Sequence, residues 1–283
     1  MKTILVPTDF STPAYNAAFY ALQVAKQLRT SLHLLHVMEV LDKTLLDTQL
    51  VWPIIDYNTL KENTVKSIKF VKQKLEEETN VLPENVRTPI TYSIREGVVH
   101  KEITKEIQEK KILLLVAGMY GASKVNRFLF GSKSRDFIDH VNCPILLIPS
   151  EGKYRKIKKI AFATDLSPGD IELIELLAVF AKPFDAEILI AHISADVYDT
   201  QHQQEIEAFL NEVTCKNNYD KIYYRHVQNK NIKEGILWLS ENGQVDMLTM
   251  VHRAHNMFSK LLDDSKTKQL AKRIKVPLMV LKP

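Results

Sequence analysis

Cysteine, glycine and tryptophan are scarce in this chain of 283 residues, at two, eight and two copies. Cys143 and Cys215 lie far apart, so neither a disulfide framework nor a cysteine metal spacing is available, which fits a reducing cytoplasm. No apolar run approaches the ~18 residues of a membrane-spanning helix. The opening MKTILVPTDFS carries no long apolar core and no cleavage site, so it does not read as a signal peptide. A dominant charge sign is also missing: 38 basic residues face 34 acidic ones, scattered along the chain, for a net charge of +4. A dedicated nucleic-acid binder gathers its Lys and Arg on one face, so that class is disfavoured. The one basic cluster, Lys153 to Lys159, reads as a solvated linker. With 45% apolar and 25% charged residues, the chain has an ordinary globular balance and suits two domains of about 140 residues.

What is present is repetition. KTILVPTDFSTPAYNAAFYALQVAKQLRTSLHLLHV from Lys2 parallels KKIAFATDLSPGDIELIELLAVFAKPFDAEILIAHI from Lys158. Both run from a basic start through an apolar stretch, Thr-Asp, an apolar residue and Ser into a helix, then L-x-x-x-H. The ends match as well: SKSRDFIDHVNCPILLIP from Ser132 and SKTKQLAKRIKVPLMVLKP from Ser265. A period of about 150 residues is too long for a solenoid unit and means a duplicated domain. The copies are expected at 1–150 and 155–283.

Within each copy the hydrophobic periods alternate. Ile4 to Val6 and Ile160 to Phe162 are short apolar runs suited to buried parallel strands. Ser11 is placed to cap a helix, and Phe10, Ala14, Ala17, Ala21, Val24 and Leu28 form one apolar stripe. Further strands are expected at 32–37, 88–94, 112–117 and 145–148, with helices at 60–78, 99–109 and 132–141. Strand and helix in alternation predict an α/β fold of two tandem open sheets with parallel strands and right-handed crossovers. The apolar strands PILLIP and PLMVLKP would be aggregation-prone as bare edges, so they are expected to pair with each other and join the copies as a pseudo-dimer.

Three of the eight glycines fall in LLLVAGMYGASKVNRFLFGSKSRDF, from Leu113 to Phe137. Gly118, Gly121 and Gly131 are spaced G-x2-G-x9-G, with Ser132 next. Gly118 follows an apolar strand, where an open α/β sheet binds its ligands. Gly131-Ser132 precedes a helix, whose free N–H groups suit an anion such as phosphate. Glycine lets backbone approach closely, and Ser132 and Ser134 add hydroxyls. Asp9 lies at the same sheet rim, where its carboxylate can accept from a ribose hydroxyl or an exocyclic amine. The competing view is that these glycines serve tight turns alone.

GMYGASKVNRFLFGS, together with VPTDFS and CPILLIP, resembles the universal stress protein family, whose motif is G-x2-G-x9-G-(S/T). The resemblance covers essentially the whole chain as a tandem pair. It implies a Rossmann-like, adenine nucleotide alpha hydrolase-like fold, dimer pairing through the last strand, and ATP binding. By resemblance the nucleotide contacts are Pro7, Thr8, Asp9, Val37, Gly118, Tyr120, Gly121, Gly131, Ser132, Lys133 and Ser134. Asp9 would hold the adenosine end and Val37 would offer backbone to adenine. Ala117 and Tyr120 replace residues that are often Met and Arg in the family.

The second copy keeps Thr164, Asp165 and Ser167 but reads VHRAHNMFSKLLDDSKTK in its loop. His252, His255 and Asp264 stand for Gly118, Gly121 and Gly131, and Ser265 stands for Ser132. Like charges about 4 Å apart repel by about 4 kcal/mol at an effective dielectric of about 20, so no triphosphate is expected there. His252 and His255 with Asp263 or Asp264 give only a thin metal pattern, and His33 and His36 fall on opposite faces of a strand. G-x4-G-K-(S/T), G-x-S-x-G and H-E-x-x-H are absent. Arg95 to Gly97 reads as a turn before a helix. Trp52 and Tyr57 lie in an insertion that reads as a lid or as local packing. The reading is a cytoplasmic nucleotide sensor that binds ATP with magnesium in its first copy and signals to a regulatory protein. A further homodimer stays open. The alternatives are a slow ATPase or phosphotransferase, for which no base is visible, and a nucleotide-free interaction scaffold.

Overall fold

The computed structural model describes residues 2–39, 57–79, 87–119, 141–150, 152, 154–195, 200–253 and 273–283. The chain divides into two compact units, Met1–Val141 and Asn142–Pro283. The first runs β1 (Thr3–Pro7), α1 (Thr12–Leu28), β2 (Ser31–Met38), α2 (Tyr57–Glu77), β3 (Ile90–Glu96), α3 (Val99–Glu109) and β4 (Ile112–Gly118). Its strands lie in the order β3-β2-β1-β4, all parallel. The second holds β5 (Ile145–Ile148), β6 (Lys159–Thr164), α4 (Asp170–Ala181), β7 (Glu187–Ser194), α5 (Thr200–Lys216), β8 (Ile222–Gln228), α6 (Ile232–Asn242), β9 (Met247–Val251) and β10 (Leu278–Leu281). Its order is β5-β10-β9-β6-β7-β8. The repeat read in the sequence is therefore a repeat of topology.

Local chemistry explains the elements. Ile4, Leu5 and Val6 have no exposed surface, so β1 is apolar on both faces, as a strand covered on both sides requires. α1 starts where Ser11 Oγ accepts from the amide of Ala14 at 3.3 Å and Pro13 occupies the first turn. It ends at Arg29 in the left-handed region. The expected stripe is only part of its buried surface. Ala18, Tyr20, Leu22 and Ala25 are buried too, because α1 touches β1, β2, β4 and α2. Phe10 is not in the helix at all; its φ is 65°.

β3 lies two residues later than its sequence pattern suggests. Its polar side chains explain the difference. Thr91, Ser93 and Arg95 face a buried ionic cluster, so the strand continues past its apolar run. His33 of β2 is 2% exposed and Glu106 of α3 is fully buried, and they meet at 3.0 Å. His33 Nδ1 lies 2.7 Å from Thr91 Oγ1, and Ser93 Oγ donates to Glu106 at 3.2 Å. Arg95 donates twice to the other carboxylate oxygen, at 2.9 and 2.6 Å, and also pairs with Glu109. Lys110 closes the set at 2.8 Å from Glu106. A neutral ring that donates from Nε2 to the carboxylate and accepts at Nδ1 satisfies both its nitrogens. Arg95 thus serves this cluster, while Gly97, at φ 145°, makes the turn into α3. The second unit has no such cluster at the matching positions, where Leu189 and Leu239 stand in the core.

β5 and β10 are antiparallel, with Leu278 opposite Leu147 and Val280 opposite Ile145. The two apolar closing strands of the repeats do pair. The compact units part at 141/142, ahead of the repeat boundary, and β5, which is sequence of the first copy, pairs with β10 of the second.

Burial and the charge of Lys110 hold the His33 pKa down to about 4 from 6.5. Burial alone would raise Glu106, but hydrogen bonds from Lys110 and Arg95 outweigh it and bring that pKa from 4.5 to about 2. Both shifts favour the folded state above the unfolded pKa. The His33 share is complete above pH 6.5 and is lost as pH falls toward 4, and the Glu106 share goes between 4.5 and 2. The melting temperature is expected to fall between about pH 7 and 5, and less so in His33→Leu. Removing Glu106 alone, by Glu106→Leu, should cost about 2–3 kcal/mol, because the two cations left behind can still reach water. Urea unfolding of Glu106→Leu and of the His33→Leu/Glu106→Leu pair checks this. The pair should recover most of the loss, as the apolar counterpart in the second unit suggests.

Candidate functional site

The chain leaves β1 toward β2 and β3, then returns to place β4 on the other side of β1. The strand order therefore reverses between β1 and β4, a switch point at whose carboxyl ends an open α/β sheet forms its crevice. On one wall is a tight elbow, Thr8-Asp9-Phe10-Ser11. The amide of Thr8 continues the sheet by donating to Leu35 at 2.8 Å. Thr8 Oγ1 accepts from the amide of Phe10 at 3.1 Å. Asp9 Oδ1 accepts from Ser11 twice, from its amide at 3.2 Å and its hydroxyl at 2.6 Å. These bonds hold Phe10 in the left-handed region, a backbone strain of order 1 kcal/mol or more for a non-glycine residue. They also leave Asp9 Oδ2 to accept a hydroxyl.

On the other wall is Gly118. A Cβ there would lie 3.1 Å from the carbonyl oxygen of Pro13, in the first turn of α1. Bare backbone thus suits the close approach of β4 to α1, a packing reason that the glycine spacing did not contain. Pro7 and Thr8 are buried at the end of β1, and Val37 lies at the carboxyl end of β2, paired in register with Arg95. The structure brings Pro7, Thr8, Asp9, Val37 and Gly118 to one sheet rim. Tyr120, Gly121, Gly131, Ser132, Lys133 and Ser134 lie outside the described residues, as do Trp52, His255, Asp263, Asp264, Ser265 and all but Val141 of the helix expected at 132–141; Val141 itself is not helical.

Two residues of this rim escaped the sequence reading. His36 Nδ1 is 2.8 Å from the carbonyl oxygen of Thr8, which fixes that nitrogen as the donor. Burial pushes its pKa below the ordinary value, so the ring is neutral at neutral pH with Nε2 left as acceptor. Phe10 stacks on it, with ring centres 4.5 Å apart and planes at 22°. The signal for His36 was present, since the L-x-x-x-H pattern recurs at His192, whose Nδ1 lies 3.2 Å from Thr164 O. Nothing in the residue types announces the strained backbone at Phe10. His33 is confirmed on the opposite face from His36, within the ionic cluster. Tyr57, in the insertion, bonds Glu96 through its hydroxyl at the start of α2.

The second unit repeats the elbow and then fills its surroundings. Asp165 accepts from Ser167 at 3.3 and 2.6 Å, and Leu166 has φ 61°. Beyond β9, however, Arg253 reaches back. Its guanidinium donates to Asp170 at 2.6 Å and lies 3.8 Å from Asp165. It also comes within 3.2 Å of where a Cβ on Gly169 would sit. Asp170, itself 1% exposed, also accepts from the buried Thr164 hydroxyl. Burial raises the Asp170 pKa, while Thr164 and Arg253 pull against it. The repeat aligns Asp170 with Ala14 and Arg253 with Met119. The crevice that is bounded by small or apolar residues in the first unit is thus crossed by an ion pair in the second. His252 is buried where Gly118 stands in the other copy, and its amide donates to Leu281 at 2.8 Å. Among the described residues no group of three or more His, Cys, Asp or Glu side chains could hold a metal, and no helix is long and apolar enough to cross a membrane.

An open doubly wound α/β domain with a switch-point crevice, present twice, is the class this geometry defines. The chain belongs to the universal stress protein family, whose sequence profile matches residues 1–149 and 156–282. A universal stress protein of Methanocaldococcus jannaschii is 31% identical over 152 residues, which cover 54% of this chain and 84% of that one. A second from the same organism is 24% identical over 155 residues, covering 52% and 94%. Among solved structures, a universal stress protein from Archaeoglobus fulgidus matches with a TM-score of 0.67 at 19% identity, over 99% of this chain and 96% of that one. One from Pseudomonas aeruginosa gives 0.59 at 15% identity, over 100% and 94%. At these identities the two structures establish a shared fold.

Asp170→Ala should strand the Arg253 guanidinium and destabilise the protein by about 2 kcal/mol. Asp170→Ala/Arg253→Met, which restores the residues of the first copy, should regain most of it. A double-mutant cycle by urea unfolding reads the coupling; additive losses would show that the pair does not act as a unit.

Proposed function

We propose that this universal stress protein is a cytoplasmic nucleotide sensor that binds one ATP, with its magnesium held mainly by the phosphates, in the first copy. The observation that carries the reading is the juxtaposition of the Asp9 elbow with the bare end of β4, from which the Gly118-x2-Gly121-x9-Gly131-Ser132 motif departs. Asp9 Oδ2 suits a ribose hydroxyl, because Oδ1 is already occupied by Ser11. The neutral His36 and the stacked Phe10 give the adenosine end a partly apolar wall. By resemblance to the family motif, Gly118, Gly121, Gly131, Ser132 and Ser134 are assigned to the ribose and phosphates, Tyr120 and Lys133 to the nucleotide more generally, and Val37 to adenine through its backbone. Two free cysteines, one buried and one exposed, suit a reducing compartment.

The nucleotide would act by favouring one arrangement of the loop between Gly118 and Gly131, which a regulatory protein then recognises. A ligand shifts such an equilibrium only by its differential affinity for the two arrangements. The ion pair of Arg253 with Asp170 supports a single site per chain.

Titration calorimetry of the full chain with ATP and magnesium is expected to give one site. Asp9→Ala should weaken binding about 10- to 100-fold, the worth of one hydrogen bond to a charged group. Gly131→Asp should abolish binding, and Asp165→Ala should leave it unchanged. Two sites per chain, or no heat with ATP, ADP, AMP or a cyclic nucleotide, would remove the proposal. Phosphate release that Gly131→Asp abolishes would instead favour a hydrolase.

A further inference from the structure

A groove of about 690 Å³ opens between the start of α1 and the outer side of α2, within the first unit. Its described floor and walls are Phe10, Tyr15, Phe70 and Val71, its charged groups are Lys66 and Lys74, and no described lining residue is acidic. Phe70 is 60% exposed, more than Tyr57 and Leu60, the other large apolar side chains that α2 exposes. The two lysines differ. Lys74 lies 3.8 Å from Glu77 and 5.7 Å over the Phe70 ring. Lys66 has no carboxylate within salt-bridge distance among the described residues.

The second copy shows which of these features the fold itself demands. α2 buries Ile68, Val71 and Leu75, and α5 buries Ile206, Phe209 and Val213 at the same spacing. The core positions of the two helices thus correspond. On that register Phe70 is matched by Ala208, Lys66 by Gln204, Ser67 by Glu205 and Lys74 by Glu212, while Tyr15 is matched by the buried Ile171. The same helix packs in both units, yet only the first carries an aromatic floor with cations at its edge.

We propose that this groove is a binding site for a small amphipathic organic anion, whose apolar body lies on Phe70, Val71 and Tyr15 and whose carboxylate or sulfonate pairs with Lys66. Charge decides the class. The described lining residues offer ammonium groups and hydroxyls but no carboxylate, and the volume falls in the ordinary range for small-ligand sites. The anion belongs at Lys66 rather than Lys74, which is shared with Glu77. The site adjoins the nucleotide crevice at Phe10, but its ligand-bearing residues Lys66, Phe70, Val71 and Tyr15 are not assigned to the nucleotide, and it needs no nucleotide to form.

The test uses the full chain and two fluorescent probes that share a ring system, anilinonaphthalene sulfonate and its uncharged analogue N-phenyl-1-naphthylamine. The sulfonate is expected to bind saturably at one site per chain. Lys66→Gln should weaken the sulfonate about tenfold, near 1.4 kcal/mol, and leave the uncharged analogue unchanged. Phe70→Ala, which installs the second copy's residue, should weaken both. Unchanged circular dichroism and melting temperature show that each variant is folded. Val179→Asp, at an exposed apolar position of α4, should have no effect on the sulfonate. Saturating ATP should not displace the sulfonate, so failure here and failure of the nucleotide reading are distinguishable. The proposal is overturned if no saturable binding occurs, or if Lys66→Gln and Phe70→Ala both leave binding intact. It is equally overturned if sedimentation shows a dimer that Phe70→Ala dissociates and that excludes the probe, since the face would then join two copies of the chain.

Discussion

The structure depends on one topological constraint. β1 is the middle of its sheet, and the chain must travel from it in both directions. The first excursion builds β2 and β3 and the second lands β4 on the opposite side, so the strand order reverses between β1 and β4. In an open α/β sheet a crevice forms at the carboxyl ends of the strands where the order reverses. What the residues add is its lining: a carboxylate pinned by its own helix cap, a histidine tied to the strand end, and a glycine pressed against the first turn of α1. The elbow is the expensive part, since Phe10 occupies a backbone region that few side chains tolerate. Its return is a fixed direction for Asp9.

Duplication makes the chain its own control. The elbow was retained in both halves, down to the left-handed residue at Phe10 and Leu166 and the histidine at the end of the next strand. Retention in both copies marks these as properties of the strand-to-helix turn, useful to the fold whether or not a ligand is bound. Divergence marks the rest. One half replaced the space beside its elbow with a guanidinium and a buried carboxylate, while the other kept small and apolar residues. The same contrast appears under α3. One half holds a satisfied ionic cluster, and the other solves the same packing problem with leucines, which is consistent with the near-equal worth of the two solutions once every charge is partnered.

Much of the architecture was legible because it rests on periodicity. Ile4 to Val6, Ile112 to Ala117 and the α1 stripe are apolar patterns of the kind that reports strand and helix directly, and the closing strands were matched by treating bare edges as costly. β3 was misplaced by two residues because its inward side chains are Thr, Ser and Arg, which read as surface until their partner Glu106 is known. The candidate site was legible at Asp9 and Gly118 and not at Phe10 or Arg253. A backbone dihedral has no residue-type signature at phenylalanine, and Arg253 acts on carboxylates more than eighty positions away. Gly118 was identified for a sound reason, yet the observed neighbour is protein, the Pro13 carbonyl.

The antiparallel seam between Leu278 to Val280 and Ile145 to Leu147 has an architectural consequence. A ribbon encoded at the end of one repeat is a structural member of the other unit, so the gene's seam and the molecule's seam do not coincide. Severing the polypeptide after residue 150 would hand the leading fragment a short hydrophobic tongue deprived of its mate.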